Sequence, residues 1–433
     1  MKKKKLILLV IVVIIITIIT TMLYHNNKHI NNKSTENSQE LIKKLAKKID
    51  DETITIDFLT WISDNYKINT LKKIDNRLKD SAYTDDIWHE ITGNSYNVLI
   101  DFYNDNNKNT TVIKNDNKLA TLSFVGDVSL ADNWYIMPKY DERKKGINGI
   151  LSTEIIDIMT NSTLMVVNNE FTISDRGEPL SGKLYTFRAS PKRLSIYEEM
   201  GVDLLTLANN HVYDFGPIAF NDMIDSLNEY NIPYIGAGKN IEEAKRPYYF
   251  IINGYKIAFI NATRAEKHIM TPEATETEGG VFRCYDSSAL VNLIKETKKT
   301  SDYIISLIHY GREDSHELEE VQVELSKQII DAGSDIVIGS HAHVLQGIEF
   351  YRDKPIIYNL GDFIFNNETK DTGIFQIKLN NQGNMEYYFI PALEKDEYTT
   401  LLSDSEKERV INNMNNWSIN VNIDENGKII KKP

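Results

Sequence analysis

Cysteine is almost absent from this chain: Cys284 stands alone in 433 residues. It cannot close an internal disulfide, and it lies too deep in the chain to be a lipid-modified N-terminal residue. Stability must therefore come from packing. An excess of basic residues is also missing. Lys and Arg number 49 against 62 Asp and Glu, a formal charge of −13. Nucleic acid and anionic membrane surfaces reward clustered positive charge, so no nucleic acid partner is expected. An anionic substrate would need a local source of positive charge, either a metal ion or a few arginines. No repeat of solenoid period is visible. Apolar residues are plentiful, with 41% hydrophobic and 10% aromatic, enough for a well-buried core.

The N-terminus carries the strongest topological signal. Lys2 to Lys5 precede an uncharged run from Leu6 to Leu23 that is rich in Ile, Val and Leu. As a helix this run covers roughly 27 Å, close to the hydrocarbon thickness of a bilayer. The lysines should stay in the cytoplasm, which predicts a single-pass anchor in the cell membrane with the C-terminal domain extracytoplasmic. The competing reading is a cleaved signal peptide, but Tyr24-His25-Asn26-Asn27 offers no small-residue cleavage site.

Composition divides the rest of the chain. Residues 24–118 are rich in Asn, Lys, Asp and Ser, with Leu41, Ile42, Leu45 and Ile49 at helical spacing, and Leu71, Ile74 and Leu78 likewise. They read as a partly helical stalk or accessory region whose stripes are packing faces. Over 119–395 the texture changes to an alternation of strands and helices, which predicts an α/β domain. Residues 396–433 are polar and read as a peripheral extension.

In the α/β region, buried strands are predicted at Leu119 to Val125, Thr163 to Val167, Leu204 to Leu207, Tyr303 to Ile308 and Asp335 to Ile338. Each ends on polar groups: Gly126-Asp127, Asn168-Asn169-Glu170, Asn209-Asn210-His211, His309, and Gly339-Ser340-His341-Ala342-His343. Open α/β sheets place ligands beyond the carboxyl ends of their strands. Singly, each group has a plain structural reading as a turn, a cap or a satisfied core histidine. Together, oxygen and imidazole donors suit one or two divalent ions such as Mn, Fe or Zn, and the lack of thiolates argues against a structural zinc site. Arg188, Arg264 and Arg312 follow strand ends or lie beside them, and their planar guanidinium groups could contact a carboxylate or phosphate.

Longer motifs surround these positions. They include Gly126-Asp127-Val128-Ser129-Leu130, Asn169-Glu170, Lys183 to Pro191, Leu207 to Gly216, Gly236 to Asn240 and His309-Tyr310-Gly311-Arg312-Glu313. Gly339 to Gln346 and Tyr358-Asn359-Leu360-Gly361-Asp362-Phe363 complete the set. From Leu119 to Phe365 the chain resembles the CapA-like, poly-γ-glutamate capsule synthesis branch of the calcineurin-type metallophosphoesterases.

The resemblance implies a metallophosphatase-like β sandwich flanked by helices. It implies that Asp127 and His343 bind a first metal, that Glu170 bridges, and that Asn210, His309 and His341 bind a second. His211 becomes the candidate general acid. It further implies an anionic glutamate polymer and other membrane subunits of a capsule polymer synthase as partners. Two positions depart from the superfamily pattern: Ser129 stands where a histidine is usual, and Glu170 where an aspartate is. They leave open whether one ion binds or two. The rival readings are a free-standing extracytoplasmic metal-dependent phosphoesterase and a scaffold with a non-catalytic pocket.

Overall fold

The computed structural model describes residues 39–432, apart from 50, 52–53, 67, several positions between 93 and 108, 114, 116–117 and 266–269. The expected anchor from Leu6 to Leu23 lies outside these residues. Among the described residues no helix is long and apolar enough to cross a membrane. The chain divides into two units after Asn107.

The first unit is helical. A helix over 39–49 is followed by helices Ile56–Tyr66, Ile68–Arg77 and Asp86–Thr92. The expected stripes form its core: Ile42, Leu45 and Ile49, with Leu71, Ile74 and Leu78, bury against Phe58, Ile62 and Trp88. Phe58 meets Trp88 edge-on at 5.3 Å, the geometry favoured by the ring quadrupoles.

The second unit is built on two facing sheets. The larger runs, in spatial order, through Val421–Ile423, Lys428–Lys431, Met385–Glu394, Lys370–Asn380, Leu119–Val128, Leu164–Asn169, Leu204–Thr206 and Tyr234–Ile235. The smaller runs through Thr110–Ile113, Tyr248–Ile252, Tyr255–Thr263, Tyr303–His309, Ile336–Ser340, Lys354–Leu360 and Leu345–Tyr351. Phe124, Val166 and Leu204 of the first share one core with Phe259, Ile305 and Ile357 of the second. Helices cover the outer faces. Helix Gly216–Glu229 packs Phe220, Met223 and Leu227 on one side, while Ser288–Lys298 and Glu320–Ala332 pack Leu290, Ile294, Leu325 and Ile329 on the other. The central strands are parallel and buried on both faces, which is why they read as continuous apolar runs.

Pairing moves two boundaries from where composition put them. Strand Thr110–Ile113 joins the smaller sheet alongside Tyr248–Ile252, so the second unit starts before residue 119. The polar tail is part of the fold. Helix Asp404–Trp417 buries Val410, Ile411 and Met414 in the core between the sheets, and Val421–Ile423 and Lys428–Lys431 extend the larger sheet. Its apolar residues recur at helical spacing, which the surrounding polar composition obscured.

Candidate metal centre

The central parallel strands of both sheets end at one edge. Asp127 and Asn168 sit opposite each other on paired strands, and Glu170 follows at once, its N–H donating to the Val128 carbonyl at 2.9 Å. The chain crosses from the smaller sheet to the larger at Gly361, which sits at φ +72°, and strand Asp362–Ile364 then lies parallel to Asp127. A Cβ on Gly126 would stand 1.8 Å from the Gly361 carbonyl oxygen, so only glycine allows this approach.

Asn168 ties the carboxylates together. Its side-chain amide donates to Asp127 Oδ1 at 2.8 Å and to Glu170 Oε2 at 3.1 Å. Its own carbonyl accepts from Thr206 Oγ1 at 3.0 Å, which fixes the amide's orientation. His309 places Nε2 at 2.8 Å from Asn210 Oδ1 and 3.7 Å from Glu170 Oε1, while its Nδ1 pairs with Ser340 Oγ at 2.8 Å. His343 directs Nε2 to 3.9 Å from the same Glu170 oxygen and pairs Nδ1 with Asp362 Oδ1 at 2.7 Å. The His341 backbone N–H donates to Asp127 Oδ2 at 3.0 Å. His341 and His343 both hold positive φ, at 98° and 57°. Such strain in non-glycine residues costs on the order of 1–3 kcal/mol each and gathers at functional sites.

All six residues expected as metal ligands therefore converge. Asp127, Glu170 and His309 are fully buried, and Asn210 and His341 nearly so. Three overlapping groups bring donor atoms within 4.8 Å of one another: Glu170, His341 and His343; Asp127, His343 and Asp362; and Asp127, Glu170 and His309. Two polar atoms inside the cluster, Glu170 Oε1 and His341 Nδ1, are buried without a hydrogen-bond partner. A buried polar atom left unpaired is costly, and a cation between Glu170 Oε1 and the Nε2 atoms of His309 and His343, 3.7 and 3.9 Å away, would satisfy that oxygen. The donor set fits a divalent ion. Asn168 and Asp362 are additions that strand-end reasoning did not single out. The Asn168-Asn169-Glu170 run and the Gly361-Asp362 turn were their only signals.

Electrostatics agree with that fit. Burial, then the neighbouring Asp127 and Asp362, push the Glu170 carboxyl well above its usual range. Burial also raises Asp127, partly offset by His343. Burial, helped by adjacent imidazoles, drives His309 and His341 well below the ordinary histidine value. Burial acts the same way on His343, but Asp362, Asp127 and Glu313 outweigh it and lift that imidazole to about 9. Ligands bind metal in their deprotonated form, so a divalent ion entering here would displace any protons the donors hold.

His211 lies beside the cluster without joining the donor groups. Its Nδ1 donates to Asp214 Oδ2 at 2.8 Å, and its ring rests 4.4 Å from Phe187. Asp214 is fully buried, also accepts the Phe187 N–H at 2.7 Å, and has Lys183 Nζ 2.8 Å from Oδ1. Lys183 also donates to the Asn210 carbonyl. The three arginines are held elsewhere. Arg188 donates to the carbonyls of Arg176 and Gly177 and stacks 4.2 Å over Phe215, in a cavity of about 380 Å³ that Asp132 and Asp175 also line. Arg264 donates to the Tyr285 carbonyl, and exposed Arg312 donates to Ser315 Oγ. Each places one guanidinium nitrogen on a backbone carbonyl or a hydroxyl, and none of the three lies among the metal-donor groups.

A helix-flanked sheet sandwich with buried oxygen and imidazole donors along one edge defines an α/β domain with a candidate metal centre. The chain belongs to the family described as bacterial capsule synthesis protein PGA_cap, which matches residues 121–367. It is 28% identical over 307 residues to the capsule biosynthesis protein CapA of Bacillus anthracis, covering 68% of this chain and 72% of that one. It is 27% identical over 302 residues to the PGA biosynthesis protein CapA of Bacillus subtilis strain 168, covering 68% and 77%. A solved 5'-nucleotidase from Candida albicans aligns at a TM-score of 0.31 and 12% identity over 61% of this chain and 50% of that one, a likeness too loose to carry an assignment.

Proposed function

We propose that this chain is a membrane-anchored, extracytoplasmic component of poly-γ-glutamate synthesis or export, acting through a divalent metal centre and alongside other membrane subunits of a polymer synthase. The observation that carries the metal reading is the buried cluster with its two orphaned atoms, Glu170 Oε1 and His341 Nδ1. The name of the Bacillus subtilis relative, a PGA biosynthesis protein, supports the polymer class, and that of the Bacillus anthracis relative supports capsule synthesis. Asp127, Glu170, Asn210, His309, His341 and His343 would hold one or two ions. Bound there, divalent metal would activate water and stabilise charge on a displaced group. In a chain of charge −13 it would also supply the local positive charge that a polycarboxylate needs.

The chain's own residues prepare proton transfer. Asp214 holds the Nδ1 proton of His211 and turns Nε2 outward, so that Nε2 can first take up a proton and then pass it to a departing oxygen. This pair favours a second reading, a free-standing phosphoesterase, because a scaffold has no use for an oriented imidazole. Both readings are tested on the full-length chain. Cells whose only copy carries His341→Ala should lose polymer while accumulating the protein normally. Polymer at the wild-type level would overturn the first reading. Hydrolysis of an aryl phosphate that survives removal of the other synthase subunits would favour the second. Protease added to intact protoplasts should digest the folded domain, and a soluble form beginning near residue 25 would refute the retained anchor.

A further inference from the structure

We propose that the cleft beside Arg188 is a second binding site, apart from the metal centre, which takes the dipolar head of an α-amino acid with its carboxylate on Arg188 and its ammonium on Asp175. The cleft holds about 380 Å³, and Arg188, Asp175, Asp132 and Ser190 line it. None of the four belongs to the metal-donor groups. Most charges nearby are already matched. Asp132 accepts the Ser190 N–H at 2.7 Å on one oxygen and Arg193 Nε at 2.8 Å on the other. Arg176 and the Ser174 hydroxyl both donate to Asp222. Asp175 lies between those two anchored residues, yet its carboxylate has no hydrogen bond or ion pair among the described residues. Arg188 is held but not saturated. One nitrogen, Nη1, makes both contacts to the Arg176 and Gly177 carbonyls, at 3.1 and 2.9 Å, and Phe215 covers one face of the guanidinium. Its Nε–Nη2 edge has no partner among the described residues, and that edge can meet a carboxylate through two parallel bonds.

An arginine and an aspartate thus line one small cavity without an ion pair to each other or to any other described group. A simple anion would meet the Asp175 and Asp132 carboxylates there, and a simple cation would meet Arg188. A ligand carrying both charges finds a complementary partner for each. An α-amino acid group has both on one carbon, and the Ser190 hydroxyl can add a bond to either. In a γ-linked glutamate chain the inner units give up their free amine to the linkage, so the amino end alone keeps both charges. The rest of such a chain would leave through the adjoining cleft of about 480 Å³, which shares Asp132, Asp175 and Ser190 and adds Lys192. Taking the polymer as the source of the ligand rests on the function proposed above, whereas the dipolar chemistry of the cleft does not.

The test is isothermal titration calorimetry on the full-length chain, with tri-γ-glutamate, its N-acetylated form and free glutamate as probes. Chelator in the buffer keeps metal-held ligand out of the measurement. Wild type should bind tri-γ-glutamate at least about tenfold more tightly than the acetylated trimer, which lacks the ammonium and its charge-assisted bond. Asp175→Asn should weaken the free-amine trimer by about tenfold or more and leave the acetylated one unchanged, a split that misfolding cannot produce. Because the Asp175 carboxylate holds nothing in the fold, this variant should also melt like wild type. Arg188→Gln should weaken both trimers. Free glutamate that binds as tightly as the trimer supports the cleft and makes the monomer its ligand, while tighter binding of the trimer makes the chain end its ligand. Equal affinity for the free and acetylated trimers, or no binding of any probe to wild type, overturns the proposal. Either failure leaves the metal-centre reading standing, since that reading is decided by polymer in His341→Ala cells.

Discussion

Lys183→Met gives the sharpest test of the architecture around His211, because it needs no metal and no substrate. The Lys183 side chain is 5% exposed and Asp214 is fully buried, with Nζ 2.8 Å from Oδ1. The same ammonium donates to the Asn210 carbonyl. Methionine keeps the length of the stem but removes the charge and every donor. Asp214 would retain the Phe187 N–H and His211, yet its buried charge would lose its counter-ion. Breaking a buried pair from one side costs roughly 3–5 kcal/mol, mostly as desolvation of the stranded partner. That is a large fraction of the ~5–15 kcal/mol that holds a typical domain. The melting temperature should fall by on the order of 10 °C, read by circular dichroism on the full-length protein in chelator. Replacing both partners removes the stranded charge, so Lys183→Met with Asp214→Asn should recover at least half of the loss. The two single variants and the double close a cycle that isolates the pair. A Lys183→Met protein that melts within about 2 °C of wild type would refute the argument, since so small a shift means the carboxylate never depended on the lysine.

Three further predictions address separate parts of the molecule. His341→Ala should reduce metal content and abolish metal-dependent stabilisation, which at a hundredfold excess over Kd amounts to about 2.7 kcal/mol in wild type, whereas His211→Ala should keep its metal; equal metal content in all three by elemental analysis would refute the division of roles. Gly126→Ala should destabilise by more than about 4 kcal/mol, because its Cβ would meet the Gly361 carbonyl oxygen at 1.8 Å; a variant that melts like wild type would show that the strands can part. Burial raises the Asp203 carboxyl to about 6, above its unfolded value, despite the N–H of Met165. The folded state therefore holds that proton more tightly, so the stabilisation is full at low pH and is lost as pH rises toward 6. Asp203→Asn should gain stability relative to wild type across that interval, and a difference in urea midpoint that stays flat with pH would refute the shift.

The strands were legible because they are parallel and buried on both faces. Leu164 to Val167 needs no partner to read as a core strand, and Glu170 just beyond it reads as a strand-end group. That pattern gathered the strand-end polar groups, and the family resemblance picked the six expected donors from among them. Asp362 was not singled out, because its neighbour Asp127 is supplied by pairing between distant segments, and adjacency of that kind leaves no spacing in the sequence. Asn168 lay in plain sight, but only its hydrogen bonds to two carboxylates separate it from Asn169, whose amide turns to the Phe171 carbonyl instead. Arg188 was placed by its position beside the strand ends, but its Nη1 contacts to the Arg176 and Gly177 carbonyls and its stacking on Phe215 depend on a loop conformation that no spacing announces. The tail from 396 was hidden by composition, since Val410, Ile411 and Met414 are few among polar neighbours but share one helical face.

The donors come from both layers of the sandwich. The larger sheet brings Asp127 and Glu170, the smaller brings His309, His341 and His343, and the chain passes between layers just before Asp362. A chain with only one layer formed has half a set of ligands and no way to hold an ion among them. If the proposed ion binds, its loading would act as a proofreading step for assembly, since it could succeed only after residues from opposite ends of the domain have met. In a chain anchored as proposed above, the ion would mark which molecules are complete.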